Sequence, residues 1–486
     1  MKKVIIIGAG IAGIASSIRL RAKGFDVKVF ESNSYPGGKI SSFNLGDYRF
    51  DAGPSLFTMP HFVDELFDLF SENSKDHFLY KKKDISCNYL WEDGTRLSAF
   101  SDKNKFAIEV EKKLGVPTTR LLKYLKKAEK KYDLTKTIFL EKSLHKLSTF
   151  LNRDTLKAIL NLNIFQISKS LNDVNEKELI EPHLIQLYNR FATYNGSSPY
   201  KTPGMLTLIQ HLEQEYGTYV VEKGMVDITN ALFKLAKRKG VVFKFNENVS
   251  KILVENKKAI GIQAKNKKYY SDYVVSNMDV VPTYDKLLKG QKRPTIVLNQ
   301  ERSSSAIIFY WGVKKEFPDL DLHNIFFSDN YKKEFDSIFN KKEVYNDPTI
   351  YINITSKDLP SDAPKNSENW FVMINSPNNE NQNWKTITND LRKNVIKKIN
   401  NILKTDLMPF IEEERVYTPQ DIELKTQSYL GSLYGASSNN KMSAFLRHPN
   451  FSNNILNLYF CGGSVHPGGG IPLCLLSAKI VSNLIK

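Results

Sequence analysis

The chain is poor in cysteine and lacks the spacings that cysteine chemistry needs. Its 486 residues include three cysteines, Cys87, Cys461 and Cys474, and no two of them form a C-x-x-C pair. This pattern predicts no metal site and favours a reducing compartment over a secreted, disulfide-bonded protein. Because an apolar, strand-like segment starts within the first few residues, we also expect no signal peptide.

Charge is missing from one long stretch near the C-terminus. Residues 455–478 contain no Lys, Arg, Asp or Glu, and a run of that length could span a bilayer. However, Gly468, Gly469 and Gly470 interrupt it between Pro467 and Pro472, and such a turn would leave backbone groups unpaired in lipid. The sequence instead predicts a buried strand at 458–461, a glycine-rich turn, and a helix from about Pro472.

Acidic residues are outnumbered by basic ones, giving a net charge of +17 and a pI near 9.3. No nucleic-acid-binding module or basic tract interleaved with aromatics is present, so we expect no nucleic-acid partner. The cations are dense at 120–165, a largely helical pattern in which Lys and Arg stand beside Leu, Phe and Ile. Two interpretations remain open: an ordinary solvated helical face, or a surface that docks on an anionic membrane.

What the sequence does contain is a dinucleotide-binding motif at its N-terminus. Val4 to Ile7 reads as a buried strand, and a G-x-G-x-x-G run, Gly8, Gly10 and Gly13, follows it. The first glycine permits a tight turn, the second lets the backbone approach a pyrophosphate, and the third allows close helix packing. A helix, a second strand and Glu31 come next, so a carboxylate stands where a ribose hydroxyl needs one.

A second glycine-rich region favours a flavin over a nicotinamide. Gly37, Gly38 and Lys39 lie just beyond the ribose acid, and Asp51 is followed by Gly53, Pro54 and Ser55. A second glycine pair beside a cation suits an extended dinucleotide whose phosphates touch two loops. The first motif by itself does not distinguish NAD from FAD. We expect Asp51 to brace its turn rather than to act as a base.

Together these segments resemble the FAD-dependent carotenoid desaturase family of the phytoene-desaturase type, within the amine-oxidase-like flavoproteins. The tail "CGGSVHPGGGIPLCLLSAK" is similar to the terminal element of that family. Three further stretches, 190–206, 221–240 and 273–284, resemble family motifs as well. The resemblance covers nearly the whole chain and is most specific at its two ends.

The motifs and the resemblance together imply that FAD is the cofactor and that no metal is bound. The implied cofactor contacts are Gly8, Gly10, Ile11, Ala12, Gly13, Glu31, Ser32, Gly37, Gly38, Lys39, Gly53, Pro54, Ser55, Val249, Asn277, Gly462, Gly463, Gly470, Ile471 and Pro472. By resemblance, Val249 lies beside the adenine, and the tail glycines present backbone N–H groups to the pyrophosphate and the flavin ring.

The order of the motifs predicts an α/β protein built around a Rossmann-like FAD-binding domain that the chain visits three times. We expect this domain to comprise 1–75, 205–290 and 415–486. Residues 76–204 are predicted to form a mainly helical, membrane-facing subdomain. Residues 291–414, with strand patterns such as "SSSAIIFYWGV" and a helical pattern through "TITNDLRKNVIKKINNIL", are predicted to complete an α+β substrate domain.

The resemblance implies an oxidoreductase that desaturates a C–C single bond in a carotenoid. It is strongest to the branch of bacterial 1-hydroxycarotenoid 3,4-desaturases, which act on a γ-carotene-like end group. Phytoene desaturation in several steps is the alternative. An amine oxidase or protoporphyrinogen oxidase is more distant, since those enzymes are expected to carry an acid near Gly463 and none is present. A non-catalytic lipid carrier with a vestigial nucleotide fold is a further alternative.

The sequence does not identify a catalytic residue. The candidates are His466, Glu222 and Arg447, and further polar candidates for the substrate cavity are His323, Gln427 and Tyr429. His466 could form a hydrogen bond near the flavin or simply brace its loop. The resemblance also implies partners: an apolar carotenoid taken from lipid, an anionic membrane surface, and oxygen or a quinone as electron acceptor. It implies a cytoplasmic protein associated peripherally with the inner face of the cell membrane.

Overall fold

The computed structural model describes residues 1–136, 140–146, 149, 161–442 and 446–486. Its strands are β1 (Lys3–Ile7), β2 (Asp26–Phe30), β3 (Ser41–Leu45), β4 (Tyr48–Ala52), β5 (Tyr80–Lys82), β6 (Ile85–Leu90), β7 (Arg96–Phe100), β8 (Tyr219–Val221), β9 (Val242–Lys244), β10 (Val249–Glu255), β11 (Lys258–Ala264), β12 (Lys267–Tyr270), β13 (Tyr273–Ser276), β14 (Ser305–Val313), β15 (His323–Phe326), β16 (Ile350–Ile354), β17 (Glu368–Ser376), β18 (Ile411–Tyr417) and β19 (Leu458–Phe460).

The α-helices of the described residues are α1 (Ile11–Ala22), α2 (His61–Asp68), α3 (Lys103–Leu114), α4 (Thr118–Thr135), α5 (Leu171–Leu179), α6 (Pro182–Asn189), α7 (Ile209–Tyr216), α8 (Val226–Arg238), α9 (Val280–Pro282), α10 (Thr295–Leu298), α11 (Tyr331–Asp336), α12 (Trp384–Leu403), α13 (Pro419–Thr426) and α14 (Ile471–Leu484). Part of the predicted helical stretch 120–165 falls at 137–139, 147–148 and 150–160, outside the described residues.

A five-stranded parallel sheet forms the first layer of the fold, in the order β19-β13-β1-β2-β9. Its central strand is buried on both faces, as its run of β-branched residues predicts. Val4 and Ile6 pack against α1, α8 and α14, while Ile5 and Ile7 pack toward the antiparallel sheet β10-β11-β12. This is the Rossmann-like arrangement predicted from the N-terminal motif.

Both ends of the chain belong to this layer. β19 joins the sheet beside β13, and α14 packs along α1. Glu65 of α2 links the two helices, since its carboxylate lies 3.2 Å from Arg19 of α1 and 2.8 Å from Lys479 of α14. The expectation that the N- and C-terminal motifs fold together is therefore confirmed.

A seven-stranded mixed sheet forms the second layer, in the order β18-β14-β17-β16-β15-β6-β7. Alternation along its strands divides its residues between two faces. One face, which includes Trp311, Ile352 and Trp370, packs on α12 in a buried apolar core. The opposite face, which includes Tyr310 and Tyr351, turns toward the interior of the molecule and lines a large cavity.

The seven-stranded sheet includes strands that lie outside 291–414, the segment predicted from sequence to supply the substrate-domain sheet. Residues 76–204 were expected to be mainly helical, yet β6 and β7 form a hairpin that completes this sheet, and the helices start at Lys103. The boundary at 414/415 also cuts through β18. The reason is that β15 of the later segment recruits β6 as a parallel neighbour, a long-range pairing that no local pattern reveals.

Helix α4 carries the densest cluster of cations in the predicted basic region. Its apolar side, which includes Leu121, Tyr124 and Leu125, packs into the core rather than facing outward. Its exposed side presents Lys123, Lys126 and Lys130. Within the part of the chain that the structure describes, no helix is both long and apolar enough to cross a bilayer, and no three His, Cys, Asp or Glu side chains converge as metal ligands.

Candidate dinucleotide site and adjoining cavity

A cavity of about 1450 Å³ lies between the two sheets and is open at the carboxyl ends of the parallel strands. Almost every residue predicted to contact the cofactor lines it: Gly8, Gly10, Ile11, Ala12, Glu31, Ser32, Gly37, Gly38, Lys39, Gly53, Pro54, Ser55, Val249, Asn277, Gly462, Gly463, Gly470, Ile471 and Pro472. Ligands of open α/β sheets bind at this edge, where the strand order reverses.

Gly13 is the predicted contact that does not line the cavity. A Cβ at this position would overlap the carbonyl oxygen of Gly8, which lies in the loop that precedes α1. Gly13 therefore allows α1 to pack against β1, which is the role of the third glycine in the motif. Gly8 itself has a φ of +95°, so the turn out of β1 requires a residue without a side chain.

Asn277, which follows β13, ties the segments of the site together. With its amide oxygen turned toward α1, it accepts hydrogen bonds of 3.2 Å from the N–H groups of Gly10 and Gly13. On its other side it lies against Gly462, where an added Cβ would come 2.7 Å from the amide. One side chain from the middle of the chain thus fixes the N-terminal turn against the C-terminal tail.

Glu31 occupies the end of β2, as the ribose-binding acid of the motif should. Its carboxylate accepts hydrogen bonds from Ala9 N–H at 2.7 Å and from Asn33 N–H at 2.8 Å. These bonds hold the buried carboxylate at the wall of the cavity and orient it. A carboxylate offers about four acceptor positions, so acceptor capacity is left for a ribose hydroxyl.

Two helix N-termini open on the cavity. Gly10 and Gly470 are the N-cap residues of α1 and α14, and neither has a side chain to cap its helix, although Asn277 accepts from the Gly13 N–H in the first turn of α1. The first-turn N–H groups of a helix have no intrahelical acceptor, and the helix dipole adds partial positive charge there. Both features suit the pyrophosphate of a dinucleotide.

Lys39 adds a full positive charge to the same wall. It faces the cavity, and its ammonium donates a hydrogen bond of 2.9 Å to the carbonyl of Leu433. Desolvation by the surrounding protein lowers its pKa although the side chain is exposed to the cavity, and nearby Asp279 opposes this effect. The glycines before it approach the first motif, since a Cβ on Gly38 would lie 3.2 Å from Gly10 Cα. These donors, the cation and the ribose acid fit an extended dinucleotide such as FAD.

The three candidate catalytic residues are placed differently. His466 is buried at the cavity wall, and its Nε2 donates to the carbonyl of Lys142 at 2.9 Å, while burial lowers its pKa to about 3. Arg447 donates to the carbonyls of Tyr434 and Ala436, and burial lowers its pKa to about 10. Both side chains therefore brace loops beside the tail glycines.

Glu222 is wrong as a site residue, because its side chain is exposed and does not line the cavity. It follows the last residue of β8, where the chain turns out toward solvent. Tyr429 also lies outside the cavity wall and packs against Arg302 instead. His323 and Gln427 do line the cavity. Asp51 lies in β4 and accepts from Met225 N–H at 2.8 Å, so it holds the start of α8 rather than a turn of its own.

The part of the cavity away from the glycine loops is largely apolar. Ile308, Ile325, Phe371 and Met373 contribute from the inner face of the seven-stranded sheet. Leu206, Leu208, Ile209 and Leu212, around the start of α7, face this region as well. An aliphatic and aromatic wall of this kind suits a long hydrocarbon, which shape must position because it offers no polar handle along its body.

Two polar networks interrupt this apolar wall, and the sequence had indicated only two of their members, Ser55 and His323, without the bonds between them. In one, the Glu213 carboxylate accepts from Tyr194 Oη and lies 3.5 Å from the Arg190 guanidinium, which also donates to Tyr89 Oη at 2.7 Å. In the other, Ser55, Tyr351 and His323 are hydrogen-bonded in a row. The first network includes residues of the 190–206 stretch that resembles a family motif, but the resemblance did not indicate their role.

The chain matches a known protein family and several named relatives. The model of the family described as flavin containing amine oxidoreductase matches residues 11–486. The 1-hydroxycarotenoid 3,4-desaturase of Flavobacterium sp. (strain P99-3) is 54% identical over 485 residues, covering 100% of this chain and 99% of the relative. The 4,4′-diaponeurosporene oxygenase of Staphylococcus aureus (strain MSSA476) is 31% identical over 490 residues, covering 100% and 98%.

Solved structures share the fold. An oxidoreductase from Methanosarcina mazei superposes with a TM-score of 0.65 at 15% identity, covering 99% of this chain and 100% of that one. Putrescine oxidase bound to putrescine gives 0.65 at 12% identity, covering 100% and 98%. The predicted fold class and the predicted FAD cofactor are confirmed. The chain belongs to the flavin containing amine oxidoreductase family and, within it, to the FAD-dependent carotenoid desaturases.

Proposed function

We propose that this protein introduces the 3,4 double bond into the end group of a 1-hydroxylated carotenoid, using FAD. The observation that carries the proposal is the single cavity that starts at the dinucleotide loops and continues along an apolar sheet face. It occurs in a chain that is 54% identical over its whole length to a 1-hydroxycarotenoid 3,4-desaturase. A cofactor and an apolar substrate would therefore share one continuous cavity.

When bound, FAD supplies the acceptor for the hydride that desaturation removes from carbon. The protein's own residues bind the cofactor, orient the substrate and shield the reacting bond. Gly10, Asn277 and Gly462 fix the cofactor-binding backbone, and the inner face of the seven-stranded sheet positions the polyene by shape. A wall of fixed shape favours a single orientation of the reacting bond.

The carboxylates that line the cavity in the described structure are Glu31, Glu213, Glu247 and Asp279. Glu31 and Glu213 are held by the hydrogen bonds given above. Asp279 caps a helix by accepting from Val281 N–H at 3.0 Å, and Glu247 lies between β9 and β10. The protein accordingly contributes orientation more than acid–base chemistry, and we assign no proton acceptor.

The proposal is tested by product analysis with purified, flavin-loaded protein. Three separate substrates are supplied in vesicles: phytoene, γ-carotene and 1′-hydroxy-γ-carotene. Conversion of the hydroxylated carotenoid to a product with one additional double bond is the expected result. Multiple desaturations of phytoene would instead favour the alternative activity, and a colourless protein that takes up no flavin would favour a lipid carrier.

We further propose that the protein works at the cytoplasmic face of the cell membrane and passes electrons to oxygen or a quinone. An apolar substrate dissolved in lipid requires contact with a membrane. The exposed lysines of α4 supply a cationic surface for anionic headgroups, although the apolar side of this helix is committed to the core. Reoxidation of reduced flavin by a soluble quinone, compared with dissolved oxygen, identifies the acceptor.

A further inference from the structure

A row of polar groups interrupts the apolar wall of the cavity. Ser55 Oγ lies 2.7 Å from Tyr351 Oη, and Tyr351 Oη lies 2.8 Å from His323 Nδ1. Ser55 and Tyr351 are partly accessible from the cavity, whereas His323 behind them is only 2% exposed. Their immediate neighbours on the same sheet face, such as Ile325 and Met373, are apolar.

The protons in this row can be placed from its partners. The amide nitrogen of Asn353, which can only donate, lies 3.2 Å from His323 Nδ1 and 3.0 Å from the carbonyl of Leu322. This contact assigns His323 Nδ1 as an acceptor, which places the ring proton on Nε2, a buried atom without a hydrogen-bond partner in the described structure. Burial lowers the pKa of this imidazole to about 3, so the ring is neutral at physiological pH.

The direction of the remaining bonds follows. Because His323 Nδ1 has no proton, the contact with Tyr351 requires the phenol to donate. The phenol proton is then used, so the contact between Ser55 and Tyr351 requires the serine hydroxyl to donate. Ser55 Oγ is left at the cavity wall as an acceptor whose own proton is committed. The site is therefore complementary to a hydroxyl group that donates a hydrogen bond.

The position of Ser55 fits such a group. Ser55 ends the Gly53–Ser55 turn, which is a predicted cofactor contact, and its partner Tyr351 belongs to the substrate-facing sheet. In a 1-hydroxycarotenoid the carbon that bears the hydroxyl is two bonds from C3. A site for that hydroxyl must consequently stand close to the reacting bond, at the junction between cofactor loops and substrate wall.

We propose that Ser55, oriented by Tyr351 and His323, recognises the 1-hydroxyl group of the substrate and sets the preference for hydroxylated carotenoids. This inference rests on the proposed function. A carotenoid without the hydroxyl would bury Ser55 Oγ against hydrocarbon with its acceptor unsatisfied. Sites built to bond a substrate hydroxyl discriminate against analogues that lack it for this reason.

The test compares two substrates and four proteins. The substrates are a 1-hydroxylated carotenoid and the same polyene with hydrogen at C1. The proteins are the wild type, Ser55→Ala, Tyr351→Phe and the control Tyr188→Phe. Tyr188 is a buried phenol that also holds a hydrogen bond, 2.7 Å from the Gln214 amide, but it does not line the cavity in the described structure.

Ser55→Ala removes the acceptor. The ratio of kcat/KM for the hydroxylated substrate to kcat/KM for the other should therefore fall about ten-fold or more. Tyr351→Phe keeps the ring and only frees the serine proton, so a loss of several-fold is expected. Both changes should weaken the preference for the hydroxylated substrate, and the readout is the ratio of the two kcat/KM values, each taken per flavin-loaded enzyme. Equilibrium binding of the hydroxylated carotenoid, measured by quenching of protein fluorescence, should weaken in parallel, while Tyr188→Phe matches the wild type.

Flavin content separates a folding defect from a loss of recognition. Should Ser55→Ala lose FAD because its turn also touches the cofactor, Tyr351→Phe decides, since it leaves that turn intact. Flavin-loaded variants that keep the wild-type ratio would overturn the inference while leaving the proposed function standing. A wild type that desaturates neither substrate would contradict the proposed function itself.

Discussion

The amide of Asn277 lies directly against Gly10, so close that a Cβ on this glycine would come 2.8 Å from the nearer atom of the amide. In its hydrogen-bonded orientation the same amide accepts from the Gly10 and Gly13 N–H groups. A residue far along the chain thus completes the N-terminal turn and holds α1 where a dinucleotide would meet it. The contact explains why the middle segment is indispensable to a site whose motifs lie at the two ends.

Replacing Asn277 by Asp separates the effect of this side chain on helix stability from its effect on cofactor binding. A carboxylate at the N-terminus of α1 interacts favourably with the helix dipole, by about 0.5–1 kcal/mol, but repels the pyrophosphate. Asn277→Asp should therefore lose most of its FAD while the apoprotein melts no lower than the wild-type apoprotein. Asn277→Ala, the control, should lower both flavin content and apoprotein melting temperature. Full flavin occupancy in Asn277→Asp would refute this placement of the phosphates.

Gly10→Val should abolish FAD retention. Gly10 has a φ of −69°, so the backbone tolerates a side chain, and the penalty comes from occupying the space needed by the pyrophosphate. Flavin absorbance per protein measures the effect, with Ala22→Val as the control at the exposed end of the same helix. Full flavin occupancy in Gly10→Val would contradict this placement of the pyrophosphate.

Buried neutral histidines should make the protein sensitive to acid. His448 donates from Nδ1 to the Pro449 carbonyl at 2.7 Å, contacts Tyr284 Oη at 3.2 Å, and has its pKa lowered by burial from 6.5 to about 4. Between these two values the unfolded chain binds the extra proton, so stability is full above about pH 6.5 and falls as the pH drops toward 4. This one group should remove about 2 kcal/mol between pH 7.5 and 5.

Denaturant titrations at the two pH values, with saturating FAD, measure this loss in the free energy of unfolding. His448→Asn keeps a donor for the Pro449 carbonyl but does not titrate, so its loss should be about 2 kcal/mol smaller. A residual loss is expected because burial also lowers the pKa of His323 and His466 to about 3. Equal losses in the wild type and the variant would contradict the assignment of His448.

Membrane docking through α4 predicts a charge-dependent association. The triple variant Lys123→Glu, Lys126→Glu and Lys130→Glu should co-sediment with anionic vesicles at least ten-fold less than the wild type, since each cation contributes about 1 kcal/mol near such a surface. The matched control reverses three exposed lysines of α12: Lys385→Glu, Lys393→Glu and Lys397→Glu. Equal loss in both variants would indicate a general charge effect, and no loss in either would remove α4 from the docking surface.

The sequence reveals those parts of the site that local backbone geometry fixes. Gly8 and Gly13 are needed for a turn and a close packing contact, and such constraints stay within one motif. Asn277 could be placed because its motif returns to the same sheet edge. The resemblance to known desaturases then joined the two ends of the chain, which no local pattern does.

Features that depend on long-range strand pairing could not be predicted. Ser55 and Tyr351 are separated by 296 positions and meet only because the seven-stranded sheet turns one face toward the cofactor loops. β6 and β7 were assigned to a helical region because their place in this sheet depends on pairing with β15. Glu222 was misplaced for a similar reason, since a sequence does not show on which side of a turn a side chain emerges.

The central claim is that both ends of the chain hold one FAD whose reactive edge faces a carotenoid cavity. Anaerobic mixing of the flavin-loaded protein with a 1-hydroxylated carotenoid tests it in a single absorbance trace. The account predicts that the flavin bleaches as the polyene band shifts to longer wavelength, with one flavin reduced per double bond formed. A flavin that stays oxidised while the carotenoid is unchanged, or one reduced by an amine instead, would contradict the account.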